Sequence, residues 1–162
     1  MSRYRARESA FLLLFEAGFH KDMPIDALVV QFYAREDAKE LGDETQYFED
    51  LVQRVTEAKD ELDEKIKTFS IGWSVGRISR VARAILAIAI IEIDEYPDIP
   101  VSVSVNEAVN LAKAYDSQEA AAFINGILAS YIRQTQGEQA IELELELTED
   151  TGETPQVSED DA

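Results

Sequence analysis

Three arginines fall within the first seven residues, Arg3, Arg5 and Arg7, with Tyr4 among them and no acid. Guanidinium groups beside an aromatic ring can clasp phosphates while the ring offers a base something to stack on. Arg3 and Arg7 are four apart and share a helix face, with Arg5 on a different side. Cations at a helix start oppose the helix dipole, so three of them invite a reason. The bland reason is exposed terminal charge; the functional one is single-stranded RNA. A second set, Arg77, Arg80 and Arg83, is spaced three apart and reads foremost as a polar edge on an otherwise buried helix.

Other chemistry lacks parts. The one histidine, His20, stands four residues after Glu16 with no visible partner for a metal site or a Ser-His dyad. No pair of Glu-x-x-His motifs is present for a carboxylate-bridged metal pair. The glycines form no phosphate-binding loop. Carboxylate pairs such as Glu61 and Glu64 belong on a solvated helix face. Trp73 reads as an anchor between two halves of the chain. The expectation is a protein with no active site, no metal and no cofactor.

The elements that must position these groups are all helical. Residues 3–20 place Ala10, Phe11, Leu14, Phe15 and Gly18 on one face, broadened by Leu12 and Leu13. A second helix starts near Pro24 with Ile25, Leu28, Val29 and Phe32 inward, and "AKELGDET" ends it. A long third helix is expected from about 44 to 69, with Phe48, Leu51, Val52, Val55, Leu62, Ile66 and Phe69 inward. Residues 77–96 are apolar on all sides between Ile85 and Ile93, as a helix enclosed by others must be. After "PDIP", Ser104 and Glu107 have the spacing of a capping box that opens a fifth helix, and Asp116 with Glu119 repeats it. The last helix runs to about residue 134. The class is all-α, with about six or seven helices.

The net charge is −18, from 33 acidic and 15 basic residues. Ten of the acids lie in residues 138–162, which hold no basic residue; residues 1–137 carry only −8. That terminal stretch is too polar to bury a core and reads as a disordered acidic tail. The overall charge therefore does not exclude nucleic acid near the arginines. The absence of cysteine suits a reducing cytoplasm, and the longest apolar run, residues 84–91, is too short for a membrane span. Glu8 and Glu16 argue against a signal peptide.

"RARESAFLLLF" (5–15), "RVARAILAIAIIEI" (80–93), "IPVSVSVNEAVNLAKAY" (99–115) and "FINGIL" (123–128) resemble, in order and spacing, the bacterial transcription antitermination factor NusB family. The resemblance covers about residues 3–135, and its most specific parts hold Asn106, Glu107, Phe123, Asn125 and Gly126. It implies a bundle of two packed subdomains, here 1–70 and 71–137, followed by the acidic tail 138–162. It also implies binding of boxA RNA from ribosomal operon leaders together with the small-subunit ribosomal protein acting as NusE. The complex would then join elongating RNA polymerase and suppress termination. Carried over by position, Arg3, Tyr4, Arg5 and Arg7 become the RNA contacts. Phe15, where the family usually has tyrosine, falls at the partner and RNA surface, and Glu119 falls near the partner interface. The chain departs from the family at Ala82, usually an acid, at Ala87, usually basic, and at Ala122, commonly lysine or similar. A protein–protein module without direct RNA binding is the alternative.

Asn125-Gly126 sits within an apolar run that has helical spacing, although Asn-Gly is a common hairpin turn. In a helix, Gly126 would let a neighbour approach closely, offsetting the roughly 1 kcal/mol glycine costs there. Asn125 would then bond to a polar group near Asn106.

Overall fold

The structure, a computed structural model, describes residues 3–70 and 78–136; for residues 36, 37, 39 and 40 only the backbone is described. Trp73, Arg77 and the acidic tail lie outside the described residues. Within them, seven α-helices and no strand are present: α1 Arg3–Ala17, α2 Ile25–Tyr33, α3 Thr45–Glu57, α4 Lys59–Phe69, α5 Arg80–Glu95, α6 Val101–Tyr115 and α7 Gln118–Gln136. A 3-10 segment, Glu36–Glu44, joins α2 to α3 and bends at Gly42. Gly42 has φ +53°, a conformation open to glycine without a Cβ penalty, which is how "AKELGDET" breaks the helical run.

The core forms around α5, as its all-round apolar sequence requires. Ile85 through Ile93 are all buried in it, because α1 and α3 contact it as well as α4, α6 and α7. Ser79 caps its start, its Oγ accepting from Ala82 N at 3.0 Å and donating to Asp116 Oδ2 at 2.7 Å. One serine thus satisfies a first-turn N–H and ties α5 to the α6–α7 turn.

The expected long third helix is two helices. Ala58 lies outside helical geometry at φ −95°, ψ 14°, closing α3 and opening α4. Between Val55 and Leu62 no large apolar side chain continues the stripe, so nothing pins a straight course. The two pieces then serve different neighbours: α3 packs on α1 and α5, α4 on α5 and α7.

The sixth helix also begins elsewhere. It opens directly after Pro100, three residues before the expected box, as α2 opens after Pro24. A missing proline N–H costs nothing where the first-turn N–H groups have no intrahelical partner. Ser104 is consequently interior and buried, and its Oγ has no hydrogen-bond partner among the described residues. The cap of α7 is Ser117, which accepts from Ala120 N at 3.0 Å, rather than Asp116. Leu12, expected to widen the buried face of α1, is 41% exposed.

Asn125 and Gly126 do lie inside a helix, half-buried in α7, which packs along α6 with Phe123 buried beside them. The expected hydrogen bond from Asn125 to a polar group of α6 is not made among the described residues. Asn106 sits in the second turn of α6, not at its cap.

All six tyrosines donate to carboxylates: Tyr4 and Tyr115 to Glu8, Tyr33 to Glu49, Tyr47 to Glu92, Tyr96 to Asp50 and Tyr131 to Asp94. Burial first, and then the neighbouring negative charge, raises every phenol above its ordinary value of 10.0, Tyr131 to about 12. The folded chain therefore holds these protons more tightly than the unfolded chain. Stability from this source is whole below pH 10 and falls as pH climbs past it. Denaturant midpoints should hold up to about pH 10 and drop steeply between about pH 10 and about pH 12, with tyrosinate absorbance appearing cooperatively with unfolding. Independent titration of six ordinary phenols in a still-folded protein would contradict the pairing.

Candidate nucleic-acid interface on the first helix

Helix α1 brings its three arginines to one end of the bundle, but it sorts them into two environments. Arg3 and Arg5 are on the surface, their side chains 45% and 54% exposed. Arg3 Nε donates to Glu44 Oε2 at 2.9 Å, and its guanidinium lies 4.3 Å from the Tyr47 ring centroid. Arg5 Nη1 donates to Glu8 Oε1 at 3.1 Å. Exposed pairs of this kind contribute little net stability, so exchanging a carboxylate for a phosphate costs little.

Arg7 is a correction. Its side chain is only 3% exposed, and it grips Glu92 with two parallel hydrogen bonds of 2.8 Å each. Glu92 is fully buried and also accepts from Tyr47 Oη at 3.0 Å. Glu107 Oε2 stands 3.5 Å from Arg7 Nη1, so this motif acid turns to an arginine rather than to a helix cap. Burial pulls the Arg7 guanidinium pKa down, but the hydrogen bonds and charge of Glu92 outweigh it and leave the pKa raised. Arg7 therefore offers no free face to a phosphate. Its charge opposes the α1 dipole because Glu92, from the last turn of α5, compensates it.

Tyr4 belongs to a different group from the one its position suggested. Its hydroxyl donates to Glu8 Oε2 at 3.3 Å, and Tyr115 donates to the same oxygen at 3.1 Å. Phe11 packs on Tyr115 with ring centroids 5.1 Å apart, and on Phe15 at 6.2 Å. Phe15 meets Phe19 edge-on at 5.1 Å. Arg80 closes the row, its guanidinium 4.6 Å from the Phe19 centroid and its Nη1 donating to Gly18 O at 3.4 Å. An aromatic strip thus follows α1 from Tyr4 to Phe19, which is 57% exposed.

Phe15 lies within this strip, half-buried. Glu119 is exposed in the first turn of α7, three residues from the Asp116 that Ser79 binds. Both therefore stand toward the Arg80 end of the bundle, away from Arg3 and Arg5. Sequence reasoning missed Phe19, Tyr115 and Glu8; the four-residue spacing of Phe11, Phe15 and Phe19 was the available signal. Arg83 is exposed, as expected of a polar edge. Ala82 and Ala87 are buried, while Ala122 is exposed.

A larger cleft, about 640 Å³, opens between α3, α4 and α5. Asp50, Glu57, Glu61, Asp94 and Glu95 outnumber Arg54 and Lys65 there, which makes it unsuited to a polyanion. No group of three or more metal-ligating side chains forms among the described residues, and none of their helices is long and apolar enough to cross a membrane.

These observations define the class: an all-helical bundle wound around one buried helix, with an arginine and aromatic surface along its first. The model of the NusB family matches residues 4–133. A transcription antitermination protein NusB of Thermoanaerobacter sp. (strain X514) is 35% identical over 133 residues, 82% of this chain and 91% of that protein. The counterpart from Agathobacter rectalis is 37% identical, covering 81% and 99% respectively. Among solved structures, NusB of T. maritima superposes with a TM-score of 0.69 at 27% identity, covering 88% of this chain and 98% of that one. A structure of antitermination factors NusB and NusE in complex with dsRNA gives 0.66 at 24%, covering 83% and 99%, and speaks for the fold alone. The chain belongs to the NusB family.

Proposed function

We propose that this protein is a non-catalytic cytoplasmic adaptor that binds boxA RNA of ribosomal operon leaders together with the ribosomal protein acting as NusE. Through that complex it joins elongating RNA polymerase and suppresses premature termination. The observation that carries the reading is the cationic start of α1, where Arg3 and Arg5 stay exposed on a chain of net charge −18. Membership of the NusB family and the NusB–NusE–dsRNA complex known for a protein of the same fold support it.

Arg3 and Arg5 hold phosphates, and Tyr4, once it exchanges Glu8 for the ligand, offers its ring to a base. Phe15, Phe19 and Arg80, with Glu119 beyond them, form the surface for NusE. Of the described residues, α1, α3 and α4 pack on α5, and Tyr115 of α6 packs on Phe11 of α1, so a partner lying along α1 also meets α6. Two phosphate contacts on a single strand predict a salt slope of about −1.4 for the protein alone on a log-log plot. Affinity alone is therefore modest, and NusE supplies the rest.

A gel shift on boxA and on a scrambled RNA, each with and without NusE, tests this. Selective, salt-sensitive binding by the pair is expected. Capture of NusE with no RNA bound by the pair would leave a protein–protein module in its place.

A further inference from the structure

Between α1 and α2 runs a groove of about 260 Å³ lined by Arg5, Glu8, Ser9, Leu12, Leu13, Phe32 and Arg35. Leu13 and Phe32, themselves buried, form its floor, and Leu12 beside them is 41% exposed. Two arginines stand on its rim, with Arg35 half-exposed and held among the described residues by a surface pair to Glu16 at 3.3 Å. The chain carries a segment with the matching pattern. In Ile141–Leu147, apolar Ile141, Leu143, Leu145 and Leu147 alternate with Glu142, Glu144 and Glu146. An extended chain of that kind presents an apolar edge on one side and carboxylates on the other. The family match ends at residue 133, ahead of this segment.

The topology allows the meeting. Tyr131 of α7 bonds to Asp94, and Arg7 of α1 to Glu92, so α1 begins and α7 ends beside the same last turn of α5. Leu147 lies eleven residues beyond Gln136, a reach of up to about 38 Å in extended chain. Helix α1 itself is about 22 Å long.

We propose that residues 138–162 dock on this groove, Ile141–Leu147 covering Leu12, Leu13 and Phe32 while their carboxylates engage Arg5 and Arg35, and that the segment thereby competes with RNA for α1. The competition rests on the reading of Arg5 as an RNA contact; the docking does not. The ten carboxylates make the segment an internal polyanion. With tethering equivalent to about 1 mM and a groove affinity of about 0.1 mM, the apparent RNA Kd rises about tenfold.

The test uses the full chain. In one variant every Asp and Glu of residues 138–162 becomes the corresponding amide. Binding of a fluorescein-labelled single-stranded boxA RNA, with NusE present, is read by anisotropy against salt. In a second variant, Thr151→Cys gives the chain a unique thiol for a spin label, since it has no cysteine.

The amide variant should bind about tenfold more tightly at about 50 mM salt, with the advantage gone near about 0.5 M. The label should broaden the amides of Arg5, Ser9, Leu12 and Leu13, and added RNA should restore them. Tighter binding without broadening would mean general charge repulsion and would overturn the docking. Equal affinity of the two chains would overturn the competition. If neither chain binds RNA at any salt, the RNA reading fails, and the broadening alone decides whether the segment docks.

Discussion

Arg7→Ala should destabilise the protein by about 3–5 kcal/mol, because it leaves the fully buried Glu92 carboxylate without its cation. That is a large part of the 5–15 kcal/mol typical of a domain. The thermal midpoint should fall by about 10–15 °C. Glu92→Ala should be comparably severe, since the Arg7 guanidinium and the Tyr47 hydroxyl would both lose their acceptor. Removing both charges is a different experiment. Arg7→Met combined with Glu92→Leu and Tyr47→Phe should recover most of the loss, because buried pairs replaced by packed apolar groups are often neutral. Differential scanning calorimetry of the single and combined variants reads this directly. An Arg7→Ala midpoint no lower than that of Arg3→Ala would show that the pair does not hold α1 to α5.

The second large effect concerns the ligand. Arg3→Ala with Arg5→Ala should weaken RNA binding by the NusE complex about tenfold at about 0.1 M salt and flatten its salt slope by about 1.4. The thermal midpoint should hardly change, since the pairs to Glu44 and Glu8 are exposed. Arg7 must be left alone here: a triple replacement would lose RNA binding by unfolding and say nothing about contacts. Unchanged affinity and slope in the double variant would remove the helix tip from the RNA site.

Much of the architecture was legible along the chain. The unbroken apolar run of α5 required enclosure, and residues Ile85–Ile93 are enclosed. The spacing around Asn125-Gly126 favoured helix over hairpin, and α7 runs through both. Boundaries were less legible where a signal had two uses. Ser104 and Glu107 match a capping box in spacing, yet the proline at 100 starts the helix earlier, and Glu107 serves Arg7 instead. The gap between Val55 and Leu62 was visible, but a gap alone does not say whether a helix bends.

The candidate site divided in the same way. Exposed Arg3 and Arg5 follow from their place at a polar helix start. Arg7 has the same type and nearly the same position, and its fate is opposite because Glu92 arrives from 85 residues away. Its helical turn is set by local periodicity, which the sequence displays. Its partner is set by how α1 and α5 pack, which no local pattern contains.

What the sequence by itself determined is therefore the helical class, the enclosed helix around Ile85–Ile93, the cationic start of α1 and the acidic terminal stretch. Only the tertiary structure decided which arginines remain available, how α3 parts from α4, and which aromatic rings line up beside Phe15. The physical reason is range: side-chain spacing and turn chemistry act within a few residues. Burial and charge pairing depend on contacts formed between helices distant in the chain.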